Sequence, residues 1–184
     1  MGKIVLVTGG ARSGKSKFAE KLALKLSGNR TAYIATAQIF DEEMARRVKM
    51  HQARRKNFWT TYESPFDADK TISDAAKKFD VILFDCVTIY LSNFLCSQNV
   101  DDEQIFSDCE NLIRRLIEAA KNSGATVIFV SNEVGEGIVP ENKLARIFRD
   151  LSGIANQMLA QESEKVFLTV AGLAVDVKKL NFEI

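Results

Sequence analysis

The residues best suited to chemistry lie close to the start of the chain, where Gly9-Gly10-Ala11-Arg12-Ser13-Gly14-Lys15-Ser16 has the spacing GxxxxGK[ST] of a phosphate-binding loop. Glycines at 9, 10 and 14 free the backbone to curl so that N–H groups and the start of a following helix point at phosphate oxygens. Lys15 would neutralise the outer phosphates of a nucleoside triphosphate, and the Ser16 hydroxyl could ligate Mg²⁺. An ordinary glycine-rich turn is the bland alternative. It is outweighed by context, since an apolar run, Ile4-Val-Leu-Val7, precedes the loop and an amphipathic segment follows it.

Such a loop needs an acid on the metal side. Val81-Ile-Leu-Phe-Asp85 offers four apolar residues ending in a carboxylate, which places Asp85 at the tip of what should be a neighbouring strand. An aspartate there could also serve merely as a helix cap, but beside a phosphate loop the metal role is favoured. His51 is the sole histidine. In a helical reading of Asp41–Lys56 it shares a side with Met44 and Val48, and Arg47, Arg54 and Arg55 fall three or four residues away. Cations around an imidazole disfavour its protonation and leave a ring nitrogen free to attack phosphorus, while guanidinium groups hold phosphate oxygens. A solvated basic helix face is the competing reading of the same residues.

The elements that must position these groups follow from periodicity. Five runs rich in β-branched and aromatic residues, Lys3–Thr8, Thr31–Thr36, Asp80–Asp85, Ala125–Ser131 and Lys165–Val170, read as buried strands. Helical patterns lie between and around them at Gly14–Leu26, Asp41–Lys56, Ala68–Lys78, Asp102–Lys121 and Glu141–Gln161. The clearest carries Ile105, Cys109, Leu112, Leu116 and Ala120 on one stripe. Gly28 and Gly124 read as C-terminal helix caps. Alternating strands and helices predict a mostly parallel sheet with helices on both faces, an α/β fold of the P-loop NTPase, RecA-like type, in a single domain over residues 1–184.

Composition narrows the class further. The 25 Lys and Arg nearly balance the 24 Asp and Glu, so no broad nucleic-acid surface is expected. Cys86, Cys96 and Cys109 form no CxxC pair and leave one thiol over, which suits a reducing, cytoplasmic compartment. Ile4–Val7 is too short for a signal peptide or a membrane span.

Ordered blocks over nearly the whole chain resemble one family. They are Thr8–Ser16, Tyr33-Ile-Ala-Thr-Ala-Gln38, Asp41-Glu-Glu-Met44, His51-Gln-Ala-Arg-Arg55, Trp59 through Glu63, Asp85-Cys-Val-Thr88, and Ser131-Asn-Glu-Val-Gly135 followed by Ile138-Val-Pro-Glu-Asn142. In combination they are similar to the bifunctional adenosylcobinamide kinase/adenosylcobinamide-phosphate guanylyltransferases of cobalamin biosynthesis. The resemblance implies phosphorylation of the aminopropanol hydroxyl of adenosylcobinamide by GTP or ATP. It then implies transfer of GMP from GTP, through a guanylylated histidine matched by His51, to give adenosylcobinamide-GDP. It places nucleotide contacts on Gly9 to Ser16, on Thr36, Ala37 and Gln38, on Gln52, Ala53, Arg54 and Arg55, and on Glu63 and Asp85. It also implies Mg²⁺ and a homotrimer. Residues 171–184 are less like the family pattern, which leaves their role open.

Other features have two readings. Asn132 to Gly137 could be a plain loop, but the C-terminal edge of a parallel sheet is where ligands bind. Trp59 reads slightly better as a core aromatic, and Arg146 and Arg149 as either surface charge or a reach toward a neighbouring subunit. Two rival functions remain at this level: a P-loop small-molecule kinase without a covalent step, in which His51 is dispensable, and a regulatory nucleotide switch.

Overall fold

The computed structural model describes residues 1–27, 30–38, 59–98 and 104–182. The expected helix over 41–56 therefore lies outside the described residues, as do Gly28, His51 and residues 52–55.

Seven strands form one sheet: β1 (Lys3–Gly9), β2 (Thr31–Ala35), β3 (Trp59–Glu63), β4 (Val81–Asp85), β5 (Thr126–Val130), β6 (Lys165–Val170) and β7 (Leu173–Asp176), in the order β3-β2-β4-β5-β1-β6-β7. Every pairing is parallel except β6 with β7. The described helices are α1 (Lys15–Ser27), α2 (Ala68–Ala76), α3 (Val87–Cys96), α4 (Ile105–Asn122) and α5 (Lys143–Glu162), with a short 3-10 turn at Val177–Leu180.

Alternation along the strands sorts their side chains onto two faces. Ile4, Leu6, Ile34, Ile82, Phe84, Val127 and Phe129 point into the larger core, closed by α2, α3, α4 and α5. Val5, Val7, Tyr33, Val81, Leu83, Ile128 and Val130 point the other way, onto Ala19 and Ala23 of α1. Helices thus cover both faces, as expected, but among the described residues the second is covered mainly by α1, with Ile89 of α3 packed against it. Each fully buried Phe, Ile or Leu contributes on the order of 1.5–3 kcal/mol by leaving water. The stripe predicted on α4 is buried throughout, and Gly124, at φ 74°, sits just past its C-terminal end as the expected cap.

Three elements were not predicted. Strand β3, WTTYE, is a half-exposed edge strand, and β7 is a second edge, beyond β6. Helix α3, VTIYLSNFLC, is buried at Val87, Thr88, Tyr90, Leu91, Asn93 and Leu95, so no polar face marks its period. The run Lys165–Val170 is a strand but only partly buried. A further correction concerns Asp85. Its strand β4 is not adjacent to the phosphate-loop strand β1, because β5 lies between them.

Candidate active site

The sheet's register aligns the candidate residues along one edge. Val7 is level with Val130, Val130 with Asp85, Asp85 with Ala35, and Ala35 with Glu63. The phosphate loop, Asp85, Thr36–Gln38, Glu63 and Asn132 therefore all emerge at the C-terminal edge of the parallel strands, where ligands bind in such folds.

The loop from Gly9 to Gly14 turns tightly. Gly14 has φ 98° and Arg12 φ 57°, both left-handed. Gly9 is fixed by space: a Cβ there would lie 2.4 Å from the backbone oxygen of Thr169. Lys15 opens α1 and is nearly buried, its Nζ donating to Gly10 O at 3.1 Å. Burial holds its pKa below the ordinary lysine value, and the nearby Cys86 and Asp85 pull it partly back. Ser16 follows in the first turn of α1, half-buried. Ser13 is buried and turned inward: its N–H bonds Gly10 O at 3.2 Å and its Oγ meets Thr169 Oγ1 at 2.7 Å.

Asp85 projects from the α1 side of the sheet, since it continues the alternation of Val81 and Leu83. Tyr33, buried on β2, donates its hydroxyl to Asp85 Oδ2 at 2.8 Å. The helix-cap alternative for Asp85 finds no support, because the N-cap position of α3 is Cys86, which makes no side-chain cap bond. Burial, with the adjacent Asp85 charge, pushes the Cys86 thiol up to about 11, so it is not a thiolate near neutral pH.

A buried polar network fixes the neighbouring strand tips. Thr36 Oγ1 donates to Cys86 O at 2.9 Å and accepts from Cys86 N at 2.8 Å. Asn93 Nδ2 donates to Thr36 O at 2.8 Å and to Pro65 O at 3.1 Å. Asn132 Nδ2 donates to Thr88 Oγ1 at 2.7 Å, and Glu133 N to Gly9 O at 3.0 Å. The loop after β5 is thereby tied to the start of the phosphate loop. Ala37 and Gln38 are half-buried beside Thr36, and Glu63 is exposed at the end of β3. Trp59 is half-buried, its ring 6.0 Å from that of Tyr33 against the α1-side core. Arg146 turns back onto its own loop, donating to Pro140 O and Glu141 O at 3.0 and 2.5 Å. Arg149 has a buried guanidinium nitrogen, Nη1, with no hydrogen bond.

Sequence reasoning missed Tyr33, Asn93 and Thr169. The available signal was a phenol, an amide and a hydroxyl set in otherwise apolar strands or helices, where each needs a partner once buried. The hard oxygens of Asp85 and Ser16 suit Mg²⁺. Among the described residues no group of three or more His, Cys, Asp or Glu could hold a metal alone, so a cation here would draw most of its shell from phosphates and water.

Fold and edge together define an α/β protein with a RecA-like P-loop NTPase fold. Its overall fold is shared with the RadB recombinase, at a TM-score of 0.50 and 18% identity over 90% of this chain and 73% of that one. Residues 5–177 match the family model described as cobinamide kinase / cobinamide phosphate guanyltransferase, and the chain belongs to that family. It is 42% identical over 182 residues to the bifunctional adenosylcobalamin biosynthesis protein CobU of Escherichia coli, covering 95% of this chain and 99% of that protein. The corresponding figures for CobP of Pseudomonas aeruginosa, also named as a bifunctional adenosylcobalamin biosynthesis protein, are 41% over 173 residues, 94% and 96%. As a family member the chain is an enzyme, a cobinamide kinase and cobinamide phosphate guanyltransferase. No described helix is long and apolar enough to cross a membrane.

Proposed function

We propose that one domain over residues 1–184 carries out two consecutive reactions on adenosylcobinamide. In the first, the aminopropanol hydroxyl oxygen attacks the γ-phosphorus of GTP or ATP. The bond to the β–γ bridging oxygen breaks, the nucleoside diphosphate leaves and the hydroxyl proton passes to solvent. In the second, an imidazole nitrogen of His51 attacks the α-phosphorus of GTP, pyrophosphate leaves, and GMP is held as a phosphoramidate. A phosphate oxygen of adenosylcobinamide phosphate then attacks that phosphorus, the P–N bond breaks, and adenosylcobinamide-GDP forms as His51 is restored.

The observation that carries this reading is the cradle at Gly9–Ser16, with Lys15 Nζ bonded to Gly10 O and Asp85 at the same edge of the sheet, in a chain of this family. Gly9, Gly10, Ala11, Arg12 and Gly14 would present backbone to phosphate, and Lys15 would neutralise developing charge. Ser16 and Asp85 would hold Mg²⁺, which would supply charge neutralisation for the triphosphate. Thr36, Ala37, Gln38 and Glu63, with Gln52, Ala53, Arg54 and Arg55, would hold the guanine nucleotide. The enzyme would work in the cytoplasm as a homotrimer.

Intact-mass measurement after incubation with GTP and Mg²⁺ tests this. A gain of one guanylyl group per chain is expected. No adduct, with phosphorylation of cobinamide intact, would leave a plain kinase.

Asp85→Asn preserves shape and removes the carboxylate charge. Turnover should fall by about 100-fold or more, with an unchanged circular dichroism spectrum. An unaltered rate and Mg²⁺ dependence would place the metal-side acid elsewhere.

A further inference from the structure

The C-terminal hairpin, which lies within the residues matched to the family, touches the phosphate loop at three points. Strands β6 and β7 are joined by a two-residue turn, Ala171 at φ 51° and Gly172 at φ 82°, closed by the Val170–Leu173 pair. Gly172 N donates to Ser13 O at 2.9 Å. A Cβ on Gly14 would approach Gly172 Cα to 3.1 Å, so turn and loop are in close backbone contact. One residue before the hairpin's closing pair, Thr169 is 2% exposed, and its Oγ1 donates to Thr8 O at 3.0 Å.

Proton bookkeeping then orders the remaining contact. A threonine hydroxyl has one hydrogen, and that of Thr169 is committed to Thr8 O. In the 2.7 Å pair with Ser13 Oγ, Ser13 must be the donor and Thr169 the acceptor. A single hydroxyl therefore joins the residue before the loop, Thr8, to the residue before its final glycine, Ser13. Both ends of the curl are held by protein groups, and the Ser13 hydroxyl hydrogen points away from the cradle.

We propose that the β6–β7 hairpin presets the phosphate loop, with Thr169 as the positioning residue through which it acts. A loop already held in its binding shape does not have to be ordered when the triphosphate arrives, and that saving appears as affinity. This rests on the cradle binding a triphosphate as set out above.

Titration calorimetry with the non-hydrolysable β,γ-imido analogue of GTP and Mg²⁺, on the full chain, separates the possibilities. Thr169→Val keeps shape and burial and removes the hydroxyl, and should weaken binding about tenfold, the scale of one unsatisfied buried hydrogen bond. Thr169→Ser should restore affinity to within about threefold, since it returns the hydroxyl and loses only a methyl. Ser13→Ala combined with Thr169→Val should be less than additive, because both remove the same bond. A purely structural Thr169 would lower the melting temperature of the valine variant and leave analogue affinity unchanged. That result, or a serine variant that binds no better than valine, overturns the proposal. Failure of the unsubstituted protein to bind the analogue would instead overturn the triphosphate reading itself.

Discussion

Replacing Lys15 with alanine should abolish both the kinase and the guanyltransferase reactions. Each is proposed to start from a triphosphate on the same loop, and each builds negative charge on phosphate oxygens as its bond to the leaving group breaks. Backbone N–H groups supply partial charges, but Lys15 is the full positive charge that directly follows the curl, held over Gly10 by its 3.1 Å bond. Its burial strengthens that role, since a cation shielded from water interacts more strongly with an oxyanion. The loss should be on the order of 3 kcal/mol or more in transition-state stabilisation. Initial rates of both reactions, with circular dichroism to verify folding, measure it. A variant that kept full kinase turnover would break the shared-loop scheme.

His51→Ala should divide the two reactions. In the kinase step the substrate hydroxyl attacks phosphorus directly, so much of that activity should survive. The guanyltransferase step should vanish, because the covalent carrier is gone and no second histidine exists in the chain. Chemistry identifies the bond. A phosphoramidate is acid-labile and comparatively stable to base, since protonating its nitrogen creates a good leaving group. Label from α-labelled GTP should stay with denatured wild-type protein at alkaline pH, leave on acid treatment, and be absent from the variant. Protein-bound GMP persisting in His51→Ala would remove the assignment.

Much of this was legible because the sheet's interior strands and α4 leave periodic marks. β1, β4 and β5 are short apolar runs bounded by polar residues, and the glycines with Lys15 and Ser16 announce a loop whose backbone geometry the residue types dictate. Helix α3 left no mark because it is buried nearly all round, and an apolar run without a polar face has no detectable period. Strands β3 and β7 were missed because edge strands need only one paired side and tolerate exposed or polar residues. The order of strands is a property of long-range packing. Nothing local in Val81–Asp85 indicates that β5 separates it from β1, so Asp85 was recognised as an acid but placed one strand too close. The partners that hold the site, Tyr33 on Asp85 and Thr169 on Ser13, bridge 52 and 156 residues, separations that no local spacing rule spans.

The hairpin's place in the chain also sets the order in which the site can come into being during synthesis. The loop is made 156 residues before its brace, Thr169, and its strand β1 pairs with the later β5 and β6. At the usual ribosomal pace of about 5–20 residues per second, roughly 8–30 s separate synthesis of the loop from synthesis of the brace. Until β5 is made, β1 is an apolar strand with both edges open, and one edge stays open until β6 follows, the kind of segment that invites misassociation and chaperone capture. On the proposed reading, the nascent chain reaches its full affinity for triphosphate only once the hairpin has been made.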